Sequence, residues 1–83
     1  MCEWYSRINE YLLNLGFTKI VVDPNLYFLY VKPDLLVLVL YVDDSILTGS
    51  YEKLIGWCKE KLANKFDMKD IGLIHCFLGL EVW

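Results

Sequence analysis

Apolar residues recur at helical spacing near the start of the chain and crowd into unbroken runs near its middle. That contrast sets the elements. Trp4, Ile8, Tyr11, Leu12 and Leu15 fall on one helical face, with Ser6, Arg7, Asn9, Glu10 and Asn14 on the other. Gly16 follows the last apolar position, where a left-handed C-terminal cap wants glycine. Phe17 to Asp23 reads as a connector with some strand character, and Asp23-Pro24-Asn25 as a turn. Leu26–Val31 (LYFLYV) is strand-like, Lys32-Pro33-Asp34 breaks it, and Leu35–Val42 (LLVLVLYV) follows. The second run does not alternate, which predicts a central strand buried on both faces.

Asp43 and Asp44 interrupt the apolar run, and Ser45–Thr48 resumes it as a third short strand. The pattern predicts an antiparallel hairpin of Leu35–Val42 with Ser45–Thr48, carrying both aspartates at its tip. Gly49-Ser50 ends that strand, with Ser50 a candidate N-cap. Tyr51 to Lys65 predicts a second helix, with Tyr51, Leu54, Ile55, Cys58, Leu62 and Phe66 on one stripe. Asp67 to Gly72 is polar and reads as irregular. Ile74–Val82 predicts a last strand, with Gly79 marking a bend, a bulge or a close backbone approach. The fold class is α+β, in the order α-β-β-β-α-β. Residues 1–83 read as one partial domain, without repeat or linker.

Composition narrows the function classes. Apolar residues make up 57% of 83, too many for disorder and more than so small a domain hides well. A piece of a larger core, or a chain with an obligate partner, is expected, and alone it should self-associate. The net charge of −3 argues against a freestanding basic nucleic-acid module. Cys2, Cys58 and Cys76 are odd in number and widely spaced, and His75 adjoins Cys76 rather than standing at ligand spacing. Zinc and a disulfide framework are poor readings, and reduced thiols in a cytoplasmic or nuclear compartment fit better. The N-terminus has no apolar segment of the secretory kind, and Leu35–Val42 is too short to cross a bilayer as a helix.

One feature breaks the local pattern. Two adjacent carboxylates beside a buried run repel each other and resist desolvation. A hard cation, Mg²⁺ or Mn²⁺, would relieve both effects through oxygen ligands. Asp43-Asp44 can equally be a solvated hairpin turn, since aspartate favours turns. An aspartic-protease site is excluded, because Ile46 stands where that motif needs glycine.

Tyr41-Val42-Asp43-Asp44 matches the YxDD signature, and the stretch from LLVLVLYVDD to FLGLEVW resembles the copia-type retrotransposon reverse transcriptase. WYSRINEYLLNLGF and DPNLYF are similar to that family's upstream helix and turn, so the resemblance covers Trp4 to Trp83. It implies a partial palm of an RNA-directed DNA polymerase, a nucleotidyltransferase using Mg²⁺ or Mn²⁺, a template-primer and deoxynucleotides. It also implies that Asp43 is the more direct metal ligand and Asp44 its partner. Tyr41 would lie near the primer end or incoming nucleotide, Val42 near the template-primer, and Phe77, Leu78, Gly79 and Leu80 on the strand that steadies the primer. The family's third aspartate, and its fingers, would precede Met1, and the thumb would follow Trp83. The chain alone is therefore expected to be inactive. A transposon remnant without activity, or a hydrophobic interaction module, is the alternative. Ser45 replaces a larger apolar residue of the family pattern, which predicts a looser hairpin.

Other features have plainer readings. Lys53, Lys59, Lys61, Lys65 and Lys69 interleave with Glu52, Glu60, Asp67 and Asp70, as on a solvated helix face. Cys58 belongs to the apolar stripe and Trp4 to the first helix's core face. Trp57 lies off the stripe and suits a neighbouring subdomain. His75 and Cys76 point to opposite faces of a strand and cannot cooperate.

Overall fold

The structure, a computed structural model, describes residues 3–41 and 44–79, without the side chains of Glu3, Trp4, Met68 and Asp70. Helix α1 (Glu3–Leu15) is followed by β1 (Thr18–Lys19), β2 (Leu26–Val31), β3 (Asp34–Leu40) and β4 (Asp44–Gly49). Helix α2 (Glu52–Lys65), the single turn α3 (Met68–Ile71) and β5 (Leu73–Leu78) complete the described chain. The strands form one sheet in the order β1-β2-β3-β4-β5, antiparallel except for the parallel pair β4–β5.

Helix α1 ends as its sequence demands. Gly16, at φ +108°, takes the left-handed turn; its N–H donates to Leu13 O, and Phe17 N–H donates to Leu12 O. This paired cap satisfies the last carbonyls and turns the chain back along the sheet. Thr18 and Lys19 therefore reach β2 and pair with Phe28 and Tyr27, a short strand beyond the α-β-β-β-α-β order. The other addition is α3, in a segment expected to be irregular. Ile71 N–H donates to Asp67 O at 3.2 Å, and Ile71 is buried. One apolar side chain seeking the core winds that turn.

The core lies on one face of the sheet. Tyr27, Leu38 and Leu47 stand in register across β2, β3 and β4, and all three are fully buried. Ile8 and Leu12 of α1 and Ile55, Cys58 and Leu62 of α2 cover them. The Tyr27 hydroxyl donates to Asn9 Oδ1 at 2.6 Å, so the buried ring keeps its polar end partnered. The opposite face of β3 is only half-buried: Leu35, Val37 and Val39 alternate with buried Leu36, Leu38 and Leu40. The strand is central as expected, but burial on both faces is not met, because no described helix packs on the second face.

The start of α2 also differs from expectation. Tyr51 is the N-cap and makes no side-chain cap bond, and it is exposed rather than part of the buried stripe. Ser50 instead accepts Leu35 N–H and donates to Asp34 Oδ1, fastening the end of β4 to the start of β3. Trp57 is partly buried against the core cluster. The lysines at 53, 59, 61, 65 and 69 are exposed, as a solvated face requires.

Candidate functional site

Strands β3 and β4 form the predicted hairpin, with Leu40 opposite Ser45 and Tyr41 N–H donating to Asp44 O at 2.8 Å. Asp44 is thus the first residue of β4 rather than part of the tip. Asp43 and Val42, between the two strands, lie outside the described residues, as does Leu80.

The pleat decides where Asp44 points. Ser45, Leu47 and Gly49 face the helices and are buried, so Asp44, Ile46 and Thr48 face the open side. The Ser45 hydroxyl donates to Ile71 O at 3.3 Å and the residue is 1% exposed. Ser45 therefore ties β4 to α3. With Ser45 locked inward, Asp44 is held outward, because a one-residue slip would bury a carboxylate. Its side chain is 48% exposed, and His75 Nε2 lies 3.6 Å from Asp44 Oδ1. Both stand on the open face, Asp44 opposite Leu73 and His75 two residues farther along β5.

The other candidate residues are not all gathered there. Tyr41 is exposed next to Asp44. Phe77 shares the open face but pairs with Thr48, so four residues of strand, roughly 13 Å, separate it from the level of Asp44. Leu78 pairs with Gly49 and points to the helix side. Gly79 has φ +91°, and a Cβ built there meets nothing within 4 Å. Backbone conformation, not close approach, is what Gly79 supplies. Its N–H donates to Gly49 O, and Thr48 Oγ1 donates to its carbonyl. The close approach is at Gly49, where a Cβ would lie 2.8 Å from Leu35 O.

The donors suit a hard divalent cation in kind but not in number. Among the described residues no three His, Cys, Asp or Glu side chains converge to hold a metal, and Asp44 offers one carboxylate. Such an ion wants several oxygen ligands. His75 is the partner that sequence reasoning missed: its proximity arises from the parallel β4–β5 register, which no local pattern announces.

The thiols are plainly divided. Cys58 is fully buried and Cys76 exposed. Burial, with the Cys76 thiol as a lesser cause, pushes the Cys58 pKa up to about 12. An unfolded chain releases that proton near 9, so Cys58 favours the folded state below pH 9 and loses that contribution as pH rises toward 12. In a dilute native sample at pH 8, iodoacetamide is expected to modify Cys76 and spare Cys58 until the chain unfolds, as read by peptide mass spectrometry. Equal modification rates at both would contradict the buried placement of Cys58.

Known proteins resemble the chain throughout. Residues 1–83 match the family model described as Reverse transcriptase (RNA-dependent DNA polymerase). The chain is 35% identical over 78 residues to the retrovirus-related Pol polyprotein from transposon RE1 of Arabidopsis thaliana, covering 94% of this chain and 5% of that protein. It is 32% identical over 81 residues to the corresponding polyprotein from transposon TNT 1-94 of Nicotiana tabacum, covering 96% of this chain and 6% of that protein. The polyprotein from transposon RE2 of Arabidopsis thaliana is 32% identical over 78 residues, 94% of this chain and 5% of its own. The chain thus spans about a twentieth of the length of these relatives. No solved structure matches it.

Proposed function

The chain belongs to the reverse transcriptase (RNA-dependent DNA polymerase) family, and from that premise we propose that it is one partial domain, a piece of the palm of a copia-type retrotransposon polymerase acting inside the cell. Asp43 and Asp44 would hold Mg²⁺ or Mn²⁺ where β4 begins. When bound, paired divalent ions activate a primer hydroxyl and neutralise the leaving pyrophosphate. This chain's own contribution is to hold the Asp44 carboxylate outward on the sheet face that no described helix covers.

The observation that carries the reading is the outward, half-exposed Asp44 beside an apolar open face, with Ser45 fixing the register from within. An RNA or DNA template-primer and a deoxynucleotide approach that face. Tyr41 and Val42 lie nearest the primer end and template. Phe77 to Leu80 steady the primer, Phe77 by its side chain and Gly79 by a backbone turned at positive φ. Leu78 supports them from the helix side. The 83 residues are inactive alone, because two carboxylates do not fix two ions against a primer end and a triphosphate. The non-enzymatic alternatives, an inactive transposon remnant or a hydrophobic interaction module, require no metal at all.

Mg²⁺ titration of the isolated chain by calorimetry tests the site. Weak binding is expected, reduced more by Asp43→Asn than by Asp44→Asn. Submicromolar affinity indifferent to Asp43→Asn would place the ion elsewhere, and no binding at any concentration would favour the remnant.

A further inference from the structure

His75 is the chain's single histidine, and the sheet brings it to a carboxylate far away in sequence. Both backbones are held in place. Ser45 is locked inward by its bond to Ile71 O, which turns Asp44 to the open face. Ile74 packs against the core from the helix side, which turns His75 to the same open face. His75 stands opposite Ile46, one diagonal step from Asp44, and its Nε2 lies 3.6 Å from Asp44 Oδ1. That spacing is too long for a hydrogen bond. Among the described residues no other hydrogen bond or ion pair reaches either side chain. The adjoining open-face positions, Val39, Ile46 and Leu73, are apolar and offer no competing partner.

We propose that His75 and Asp44 form a mixed nitrogen–oxygen site for Zn²⁺, in which the imidazole makes the ion preferred over Mg²⁺. The inference rests on the reading of Asp44 as a cation ligand. Spacing along the chain disfavours zinc; the parallel β4–β5 register supplies the nitrogen neighbour that spacing lacks. Imidazole nitrogen and carboxylate oxygen bind Zn²⁺ at about 2.0–2.2 Å, so two such donors in a tetrahedral shell stand roughly 3.4 Å apart. The observed 3.6 Å reaches that value by a small rotation of two half-exposed side chains, with no movement of either strand. The nitrogen is what discriminates. Mg²⁺ keeps to oxygen ligands in near-ideal octahedral geometry, whereas imidazole suits Zn²⁺. Two protein donors of a four-coordinate shell make the binding weak and exchangeable. Because Asp44 serves both ions, Zn²⁺ and Mg²⁺ exclude each other there.

Proton NMR of the His75 ring, with calorimetry, tests the proposal on the 83-residue chain with Zn²⁺ and Mg²⁺ as the probes. Cys2→Ser and Cys76→Ser are introduced first, so that thiols other than the buried Cys58 do not compete. Zn²⁺ is expected to shift the ring C–H signals of this sole histidine, a readout that needs no variant at His75. It should bind at least about tenfold more tightly than Mg²⁺, and added Mg²⁺ should weaken it. His75→Phe keeps a flat ring at a half-exposed position. It should weaken Zn²⁺ binding roughly tenfold and leave Mg²⁺ binding within about twofold. Asp44→Asn should weaken both ions. Three outcomes would overturn the proposal: ring signals unmoved at saturating Zn²⁺, Zn²⁺ binding indifferent to His75→Phe or to Asp44→Asn, or Mg²⁺ binding that falls as much as Zn²⁺ binding in His75→Phe. The last would mean that His75 only steadies the carboxylate. Zn²⁺ binding through His75 and Asp44 in a chain that takes up no Mg²⁺ would uphold this inference and sink the Mg²⁺ site. Mg²⁺ binding with an unmoved ring would do the reverse.

Discussion

Grafted in place of the matching segment of an active copia-type polymerase, residues 4–83 are expected to support primer extension on poly-rA/oligo-dT, and Asp43→Asn in the graft to lower kcat at least a hundredfold. That factor corresponds to about 2.7 kcal/mol of transition-state stabilisation. A carboxylate that fixes a metal ion acts on the reacting centre rather than on template affinity. KM for the template-primer should therefore move little. Asp44→Asn should follow the same split with a smaller loss, since Asp43 is the more direct ligand in the proposed site. The ungrafted chain should give no extension with Mg²⁺ or Mn²⁺. Extension by the ungrafted chain, abolished by Asp43→Asn, would show that the 83 residues carry a complete site. A folded but inactive graft would mean that a departure such as Ser45 disables it.

Leu38→Ala is expected to cost about 2–5 kcal/mol in a urea melt, whereas Val37→Ala costs less than about 1 kcal/mol. The two positions are adjacent in β3. Leu38 is fully buried between Tyr27 and Leu47 under both helices, and Val37 is half-exposed on the open face. A chain of 83 residues has roughly 4–12 kcal/mol of stability in total, so the Leu38 loss consumes much of it. Equal losses at both positions would mean that the open face is covered in solution and that the helix-free face has been misassigned.

The helical and strand periods carried most of the fold. The stripe of Ile8, Leu12, Ile55, Cys58 and Leu62 is the observed core, and Gly16 caps α1 at the residue where its sequence places a glycine. The hairpin around Asp43-Asp44 was legible for the same reason: two β-rich runs flank a polar break. What local pattern could not show was long-range register. The Asp44–His75 proximity, the contact of Ser45 with Ile71, and the crowding of Gly49 by Leu35 O each join segments distant in sequence. A serine before a helix is equally suited to bridging two strand ends, which is why the cap position falls to Tyr51 rather than Ser50. The single turn of α3 was invisible because four residues carry no period, and only the burial of Ile71 explains it.

The parallel attachment of β5 has a kinetic consequence. Strands β2, β3 and β4 form a meander of short connections, and such hairpins close on a scale of about 1–10 μs. Strand β5 reaches β4 only after the segment from Ser50 to Gly72 has closed as a loop, which taxes chain entropy before any ladder bond repays it. On that ground the β2–β4 meander is expected to form first and β5 to dock late. Altering Ile74 should steepen the loss of native molecules with little change in how quickly new ones form. Altering Leu38 should slow formation itself.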